Sequence, residues 1–220
     1  DQNDSARVLE RTLISQLSLP KLRRPLVILD IGCGEKSLGK GINELFGDRR
    51  PVALRYLSID VDPKTDPDFC WDILTFFENL ASSDDHTREL LSPGKVDIIW
   101  FSSRCDPFSP ANTRGSRDIQ EGLTLVEKGI EIATYLKPRV FFMESANSGE
   151  HRLSNQPRMK ELERQYRLSP HPCTQCKYGF LNKKPTCIWS TIPLSLMSCT
   201  KDTPCETLQH YSRHLLTSQN

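Results

Sequence analysis

The sequence predicts an α/β fold built on a doubly wound, mostly parallel sheet, and three observations carry that expectation. Continuous apolar runs bounded by turn residues recur along the chain, helical apolar spacing fills intervals between them, and a polar or acidic residue closes each main run. Runs that are apolar throughout fit strands covered on both faces by helices. Strand–helix alternation is the pattern of a parallel sheet. A length of 220 residues suits one such domain with a substantial core.

Taken in order, Ser5 to Leu17 reads as an N-terminal helix. Leu26 to Ile31 is the first strand, with Pro25 before it and Gly32 after, and a helix follows from about Ser37. Tyr56 to Ile59 ends at Asp60, Val96 to Phe101 at Ser102, and Val140 to Met143 at Glu144; Thr186 to Ile192 is a later β-rich run. Asp118 caps the clearest helix, with Glu121 three residues on. Its residues Ile119, Leu123, Val126, Ile130 and Ala133 keep helical spacing until Pro138 stops it. Gln156 to Tyr166 is a shorter, charged helix. The tail beyond Pro193 is polar and predicts no regular element. The expected organisation is therefore one domain over 1–192 with a tail, 193–220, packed on it. No internal repeat or low-complexity segment is present.

Composition removes several classes. Lys and Arg number 29 against 28 Asp and Glu, a net charge of +1, so a bulk polycation is excluded and any nucleic-acid site must be a local patch. With 37% hydrophobic residues a soluble globular protein is expected. No apolar run approaches the ~18–20 residues of a membrane span. No leader is recognisable in a chain that starts at Asp1 rather than Met. The cysteine usage favours a reducing compartment, and the expected location is intracellular: the nucleus in a eukaryote, otherwise the cytoplasm. The eight cysteines lack the distribution of a disulfide scaffold, and in a chain of this size they suggest reduced thiols, a metal site or catalysis.

In open parallel sheets, ligands bind outside the carboxyl ends of the strands, where Asp30, Asp60, Ser102 and Glu144 stand. Leu29-Asp30-Ile31-Gly32-Cys33-Gly34 is a strand running into a Gly-x-Gly turn, where glycine lets the backbone approach a ligand closely. The third glycine of a dinucleotide fingerprint is absent, with Lys36 near its place. Asp60, ending the second strand, is placed to accept from ribose hydroxyls, and Asp72-Ile73 adds an acid beside an apolar residue. This order resembles the S-adenosylmethionine pocket of Rossmann-like, class I methyltransferases. The resemblance implies that Asp30, Gly32 and Gly34 line the methionine end, Asp60 (with Asp62 as a second candidate) holds the ribose, and Asp72 with Ile73 meets the adenine. The plain alternative for Asp62 and Asp72 is a solvated loop carboxylate.

After the next strand comes Ser102-Ser103-Arg104-Cys105-Asp106-Pro107-Phe108-Ser109. Cys105, Phe108 and Ser109 match the Ser-Pro-Pro-Cys-Gln-x-Phe-Ser loop of cytosine-C5 DNA methyltransferases, and Glu144-Ser145-Ala146 stands where that family has Glu-Asn-Val. Smaller phage and large-virus members are also similar at Ile59-Asp60-Val61-Asp62-Pro63-Lys64, Arg117-Asp118, Lys177-Tyr178-Gly179 and Lys184-Pro185-Thr186-Cys187-Ile188-Trp189. The resemblance runs from about residue 26 to 192. It implies Cys105 as the nucleophile that adds to C6 of a flipped cytosine, Glu144 as the partner of N3 and N4, and S-adenosylmethionine as methyl donor. The chain departs from the family at Arg104, Asp106, Ser145 and Cys187. A catalytically inactive accessory relative that binds cofactor or nucleic acid, and an RNA cytosine methyltransferase, stand as alternatives.

From Glu150 to Lys184 the chain carries eight basic residues and three acids, a local charge of +5. It follows the Glu144 strand, so 145–184 reads as a short target-recognition insert. Arg104, Arg152, Lys177, Lys183 and Lys184 are candidate contacts to DNA (or RNA), where phosphate contacts give position more than sequence. The insert is short, which leaves room for a protein partner that supplies targeting. A charged face on a solvated helix explains Arg158 to Arg167 equally well. Finally, Cys173-x2-Cys176 lies beside His171, and Cys199-x5-Cys205 precedes His210 and His214. Cysteines with an i, i+4 histidine pair suit a tetrahedral zinc site; buried packing thiols are the other reading.

Overall fold

The computed structural model describes residues 24–46, 54–110, 112, 117–178 and 183–211. The N-terminal helix expected over Ser5 to Leu17, and His214, lie outside the described residues. The strands form one seven-stranded sheet of order β3-β2-β1-β4-β5-β7-β6, mostly parallel as expected. They are β1 (Leu26–Ile31), β2 (Leu54–Asp60), β3 (Phe69–Cys70), β4 (Ile98–Ser102), β5 (Val140–Ala146), β6 (Ser169–Thr174) and β7 (Pro185–Ser190). Parallel pairing joins β1 to β2 and β2 to β3, whereas β7 runs antiparallel to both β5 and β6. This is the Rossmann-like arrangement, in which strand order reverses at β1.

The chain divides into two compact units. The first holds the described part of 1–100 with Ile132–Arg139. Every residue of β1 is buried, as its unbroken apolar run requires. Helices α1 (Ser37–Phe46), α2 (Phe76–Ser82) and α3 (Asp85–Leu90) belong to this unit, and Leu29, Ile31, Ile59, Phe76 and Leu91 are fully enclosed. One buried charge ties strand starts together. Asp97 is 1% exposed, accepts from the Val27 N–H at 2.9 Å and from Arg24 at 2.7 and 3.0 Å, and pairs with Arg139 Nε at 3.1 Å. Burial of that carboxylate is tolerable because its oxygens are met by charged and backbone donors.

The second unit holds 101–131 and the described part of 140–220. Most of α4 (Ile119–Leu136), α5 (Pro157–Tyr166) and the short α6 (Glu206–Tyr211) lie here. Asp118 caps α4 as expected, accepting from the Glu121 N–H at 2.8 Å. Trp189 is fully buried, and its indole N–H donates to Glu163 at 2.8 Å, which satisfies the one polar atom such a burial creates.

Three differences from expectation have local causes. Strand β5 does not stop at Met143: it continues through Glu144 to Ala146, because Ser145 and Ala146 pair with Cys187 and Thr186 of β7. Strand β6 contains Pro170 and Pro172, which argue against a strand in sequence, yet it stands last in the strand order, where proline is tolerated. Beyond Pro193 the chain is not wholly irregular, since Glu206–Tyr211 is helical.

Candidate functional site

In the first unit, the carboxyl ends of β1 and β2 converge. Gly32 and Gly34 adopt φ of 71° and 48°, the left-handed region that glycine enters without a steric penalty. The Gly32 N–H donates to Ile59 O at 2.9 Å, and the Gly34 N–H to Asp60 Oδ2 at 2.8 Å. The other oxygen, Oδ1, accepts from the Asp62 N–H at 2.9 Å. Asp60 therefore braces both turns, and a carboxylate still has lone pairs for a ligand hydroxyl. A Cβ built on Gly34 would meet nothing within 4 Å, so this turn faces open space.

Asp30 lies beneath, 2% exposed, and accepts from the Tyr56 hydroxyl at 2.6 Å. Desolvation pushes its carboxyl up to about 6, against the lowering effect of the Tyr56 bond and with a further push from the charge of Asp60. The two acids with a plain alternative have structural duties. Asp62 caps the 3-10 turn Pro63–Thr65 by accepting from Lys64 N, and Asp72 caps Ile73–Thr75 by accepting from Leu74 N, each at 2.9 Å. Asp72 is exposed and Ile73 half-buried. A cavity of about 680 Å³ opens beside the glycine turn, lined by Lys36, Lys40, Tyr56, Lys64 and Thr65 among others; Asp30, Asp60 and Asp72 are not in its wall.

In the second unit, the chain leaves β4 through the buried Ser103 into a turn closed by the Phe108 N–H donating to Cys105 O at 3.0 Å. Phe108 is fully buried and Cys105 exposed, so the phenyl ring anchors a turn that presents the thiol. The anchor needs Gly122 of α4: a Cβ there would stand 2.8 Å from Phe108 Cζ and 2.9 Å from Pro107 Cβ. Arg117 holds the far side, donating to Ser109 O at 2.9 Å and Asn112 O at 3.1 Å. Arg104, where the related loop has proline, grips Asp106 through two bonds of 3.0 and 2.8 Å and reaches Glu121 at 3.0 Å. A fork-to-carboxylate grip thus clamps the loop on itself where proline stiffness is missing, and a single bond to Glu121 ties it to α4.

Glu144, on β5 opposite Ile188 of β7, is the second expected residue. Its Oε1 is buried and accepts no hydrogen bond among the described residues, with Lys184 Nζ 3.6 Å away. The neighbouring Cys173 thiol is pushed up, first by burial and then by the charge of Glu144. Ser145, standing where the related motif has asparagine, is fully buried with its hydroxyl likewise unpartnered.

The basic segment is less available than its composition suggests. Arg158 pairs with Glu127 and Glu161 at 2.6 and 2.8 Å, and Lys160 with Glu163 at 3.0 Å. Those cations belong to a self-neutralised helix face. Lys177 donates to Pro204 O at 2.9 Å, Arg152 donates to Gly149 O at 3.3 Å, and Lys184 faces Glu144, while Lys183 is exposed. Arg117 is the residue that sequence reading singled out only as a similarity, without a role; its bonds to the carbonyls of Pro107, Ser109 and Asn112 give it one.

No helix among the described residues is long and apolar enough to cross a membrane. No family model matches the chain. A curated relative does: the chain is 27% identical over 181 residues, 75% of its length and 70% of the relative's, to a "Probable DNA (cytosine-5)-methyltransferase" of Frog virus 3 (isolate Goorha). Among solved structures, it superposes on Schizosaccharomyces pombe Dnmt2 methyltransferase with a TM-score of 0.45 and 10% identity, covering 78% of this chain and 52% of that one, about half its length. It superposes on the plantazolicin methyltransferase BamL with a TM-score of 0.45 and 11% identity, covering 86% and 85%. The likeness to cytosine-C5 DNA methyltransferases that the motifs carry is thus matched, across three quarters of the chain, by a relative bearing that family's name.

Proposed function

We propose that this chain is an S-adenosylmethionine-dependent methyltransferase that modifies C5 of cytosine in DNA, with Cys105 as nucleophile and Glu144 as its partner. The observation that carries the reading is the presence, within one unit, of an exposed thiol on a braced turn and of a buried glutamate oxygen that accepts no hydrogen bond among the described residues. Such an orphaned acceptor costs stability unless a ligand meets it. The named relative supports the choice of cytosine C5 and DNA.

The chemistry assigns each group a task. C5 is a poor nucleophile, so the Cys105 sulfur adds to C6 and electron density moves toward C5. Glu144, at N3 and the exocyclic N4, stabilises the charge that develops on the ring. S-adenosylmethionine, when bound, would supply an electrophilic methyl group to C5, its sulfonium S–CH3 bond breaking to leave S-adenosylhomocysteine. A base then takes the C5 proton, the C5–C6 double bond re-forms, and Cys105 leaves as thiolate. A base in duplex DNA must be flipped from the stack before any of this. The glycine turn facing open space, with Asp30 below and Asp60 beside it, fits the methionine and ribose ends of the cofactor; Asp72 and Ile73 are assigned to the adenine. Lys183, Lys184, Arg152, Lys177 and Arg104 are assigned to phosphates, with Lys183 the one exposed lysine of that set.

Titration with S-adenosylhomocysteine, followed by incubation with S-adenosylmethionine and DNA containing 5-fluorocytosine, tests this. A covalent protein–DNA adduct that disappears in Cys105→Ser is the expected outcome. S-adenosylhomocysteine binding without any covalent complex would instead identify an inactive relative, a reading favoured by Arg104 in place of proline. Failure to bind S-adenosylhomocysteine removes both readings. Transfer to RNA in preference to DNA would change the substrate and keep the chemistry.

A further inference from the structure

Of the eight cysteines, none is joined in a disulfide, and three that lie far apart in sequence meet in space. The sulfurs of Cys176, Cys199 and Cys205 all lie within 4.8 Å of one another, each residue buried. The sequence reading had paired Cys173 with Cys176; the fold separates them. Cys173 sits within β6 and is paired in register with Thr186, while Cys176 belongs to the 3-10 turn that follows the strand.

We propose that Cys176, Cys199 and Cys205 bind a structural zinc ion as thiolates, which fastens the stretch before α6 to the turn after β6. Zinc–sulfur bonds of about 2.3 Å set tetrahedral sulfur–sulfur separations of about 3.8 Å. The trio therefore needs to contract by no more than about 1 Å to close on the ion. Three soft donors select zinc over hard, oxygen-preferring cations. The fourth position takes a donor from outside the trio.

The surroundings suit a held ion rather than three packing thiols. The Cys205 N–H points to Cys199 Sγ at 3.3 Å, an arrangement that steadies a metal-bound sulfur. The Cys199 N–H is fixed by Thr174 Oγ1 at 2.6 Å, and Lys177 Nζ reaches Pro204 O at 2.9 Å. Among the described residues, the three cysteines form their own buried cluster, with Leu208 the partly buried apolar side chain against it. A metal cross-link among residues this far apart in sequence would add its binding free energy to the stability of the segment.

The full chain, purified reduced and free of chelator, is expected to retain one zinc. Replacement by cobalt is expected to give the visible bands of a tetrahedral ion and near-ultraviolet thiolate charge transfer, reduced by about one third in Cys199→Ser and unchanged in Cys173→Ser. Alkylation mapped by mass spectrometry covers the case in which a variant fails to fold. In the unaltered chain, Cys176, Cys199 and Cys205 are expected to resist alkylation with metal and to react after chelation, while Cys70 and Cys105 react in both states. Absence of bound metal, a disulfide within the trio, or charge transfer indifferent to Cys199→Ser would overturn the proposal. None of these readouts depends on methyl transfer.

Discussion

Gly122→Ala separates loop positioning from stability. An added Cβ would stand 2.8 Å from Phe108 Cζ and 2.9 Å from Pro107 Cβ, so those atoms must recede by about 0.7 Å to regain ordinary carbon–carbon contact near 3.5 Å. Phe108 is fully buried and its ring has no solvent to swing into. Overpacking of this kind costs about 1–3 kcal/mol, while alanine in a helix interior gains about 1 kcal/mol over glycine. Net destabilisation of about 1 kcal/mol is expected, a small drop in urea midpoint with unchanged slope. The effect on Cys105 is larger, because the displaced residues are part of its turn. A shift approaching 1 Å in a reacting group costs on the order of 10²-fold in rate. Adduct formation with 5-fluorocytosine DNA, measured beside the urea midpoint, reads both effects. A variant more stable than the parent, with an unaltered adduct rate, would refute the idea that α4 seats the loop through Gly122.

Other expectations follow from the same geometry. Asp30 has its pKa raised to about 6 in the fold, so the folded state holds its proton more tightly than the unfolded chain. Its contribution is full below the unfolded value near pH 4 and is lost as pH rises to about 6, on the order of 2–3 kcal/mol. Asp30→Asn is expected to flatten that decline in urea titrations run across this window and to weaken S-adenosylhomocysteine binding. Asp97→Asn leaves Arg24 and Arg139 without their shared carboxylate; since both arginines are over a third exposed, screening reduces the loss to about 2 kcal/mol, read as a lower thermal midpoint. Glu144→Gln is expected to lower single-turnover methyl transfer by about 10²–10³-fold with S-adenosylhomocysteine affinity unchanged; equal loss of both would remove its role at the base.

What could be read from sequence was what burial alone decides. Strands β1, β2, β4 and β5 announce themselves by their apolar runs, and the Gly32–Gly34 turn by glycines that enter the left-handed region without a steric penalty. Strand β6 was hidden: proline suppresses the signal, and only an antiparallel partner makes Ser169–Thr174 a strand. The last residues of β5 were hidden for the same reason, since pairing with β7 and not composition carries the strand past Glu144. Spacing brought Cys173 and Cys176 together on paper, but meeting Cys199 and Cys205 depends on the path of a polar segment with no periodicity to read. Cys105 and Glu144 were legible only through a family likeness; a pairing of Arg104 with Asp106 is within reach of neighbours in sequence, but nothing in the spacing reports the bond of Arg104 to Glu121.

The prolines of β6 limit what this edge of the sheet can offer to another strand. The outermost strand of a sheet ordinarily offers alternate N–H groups to any passing strand. On β6, residues 170, 172 and 174 share one direction, and the first two, being proline, have no N–H to offer. The third, Thr174, donates instead to Met197 O at 3.2 Å. Along this row the sheet has no donor left for edge-to-edge growth into fibrils, and detaching the 193–205 stretch would uncover one.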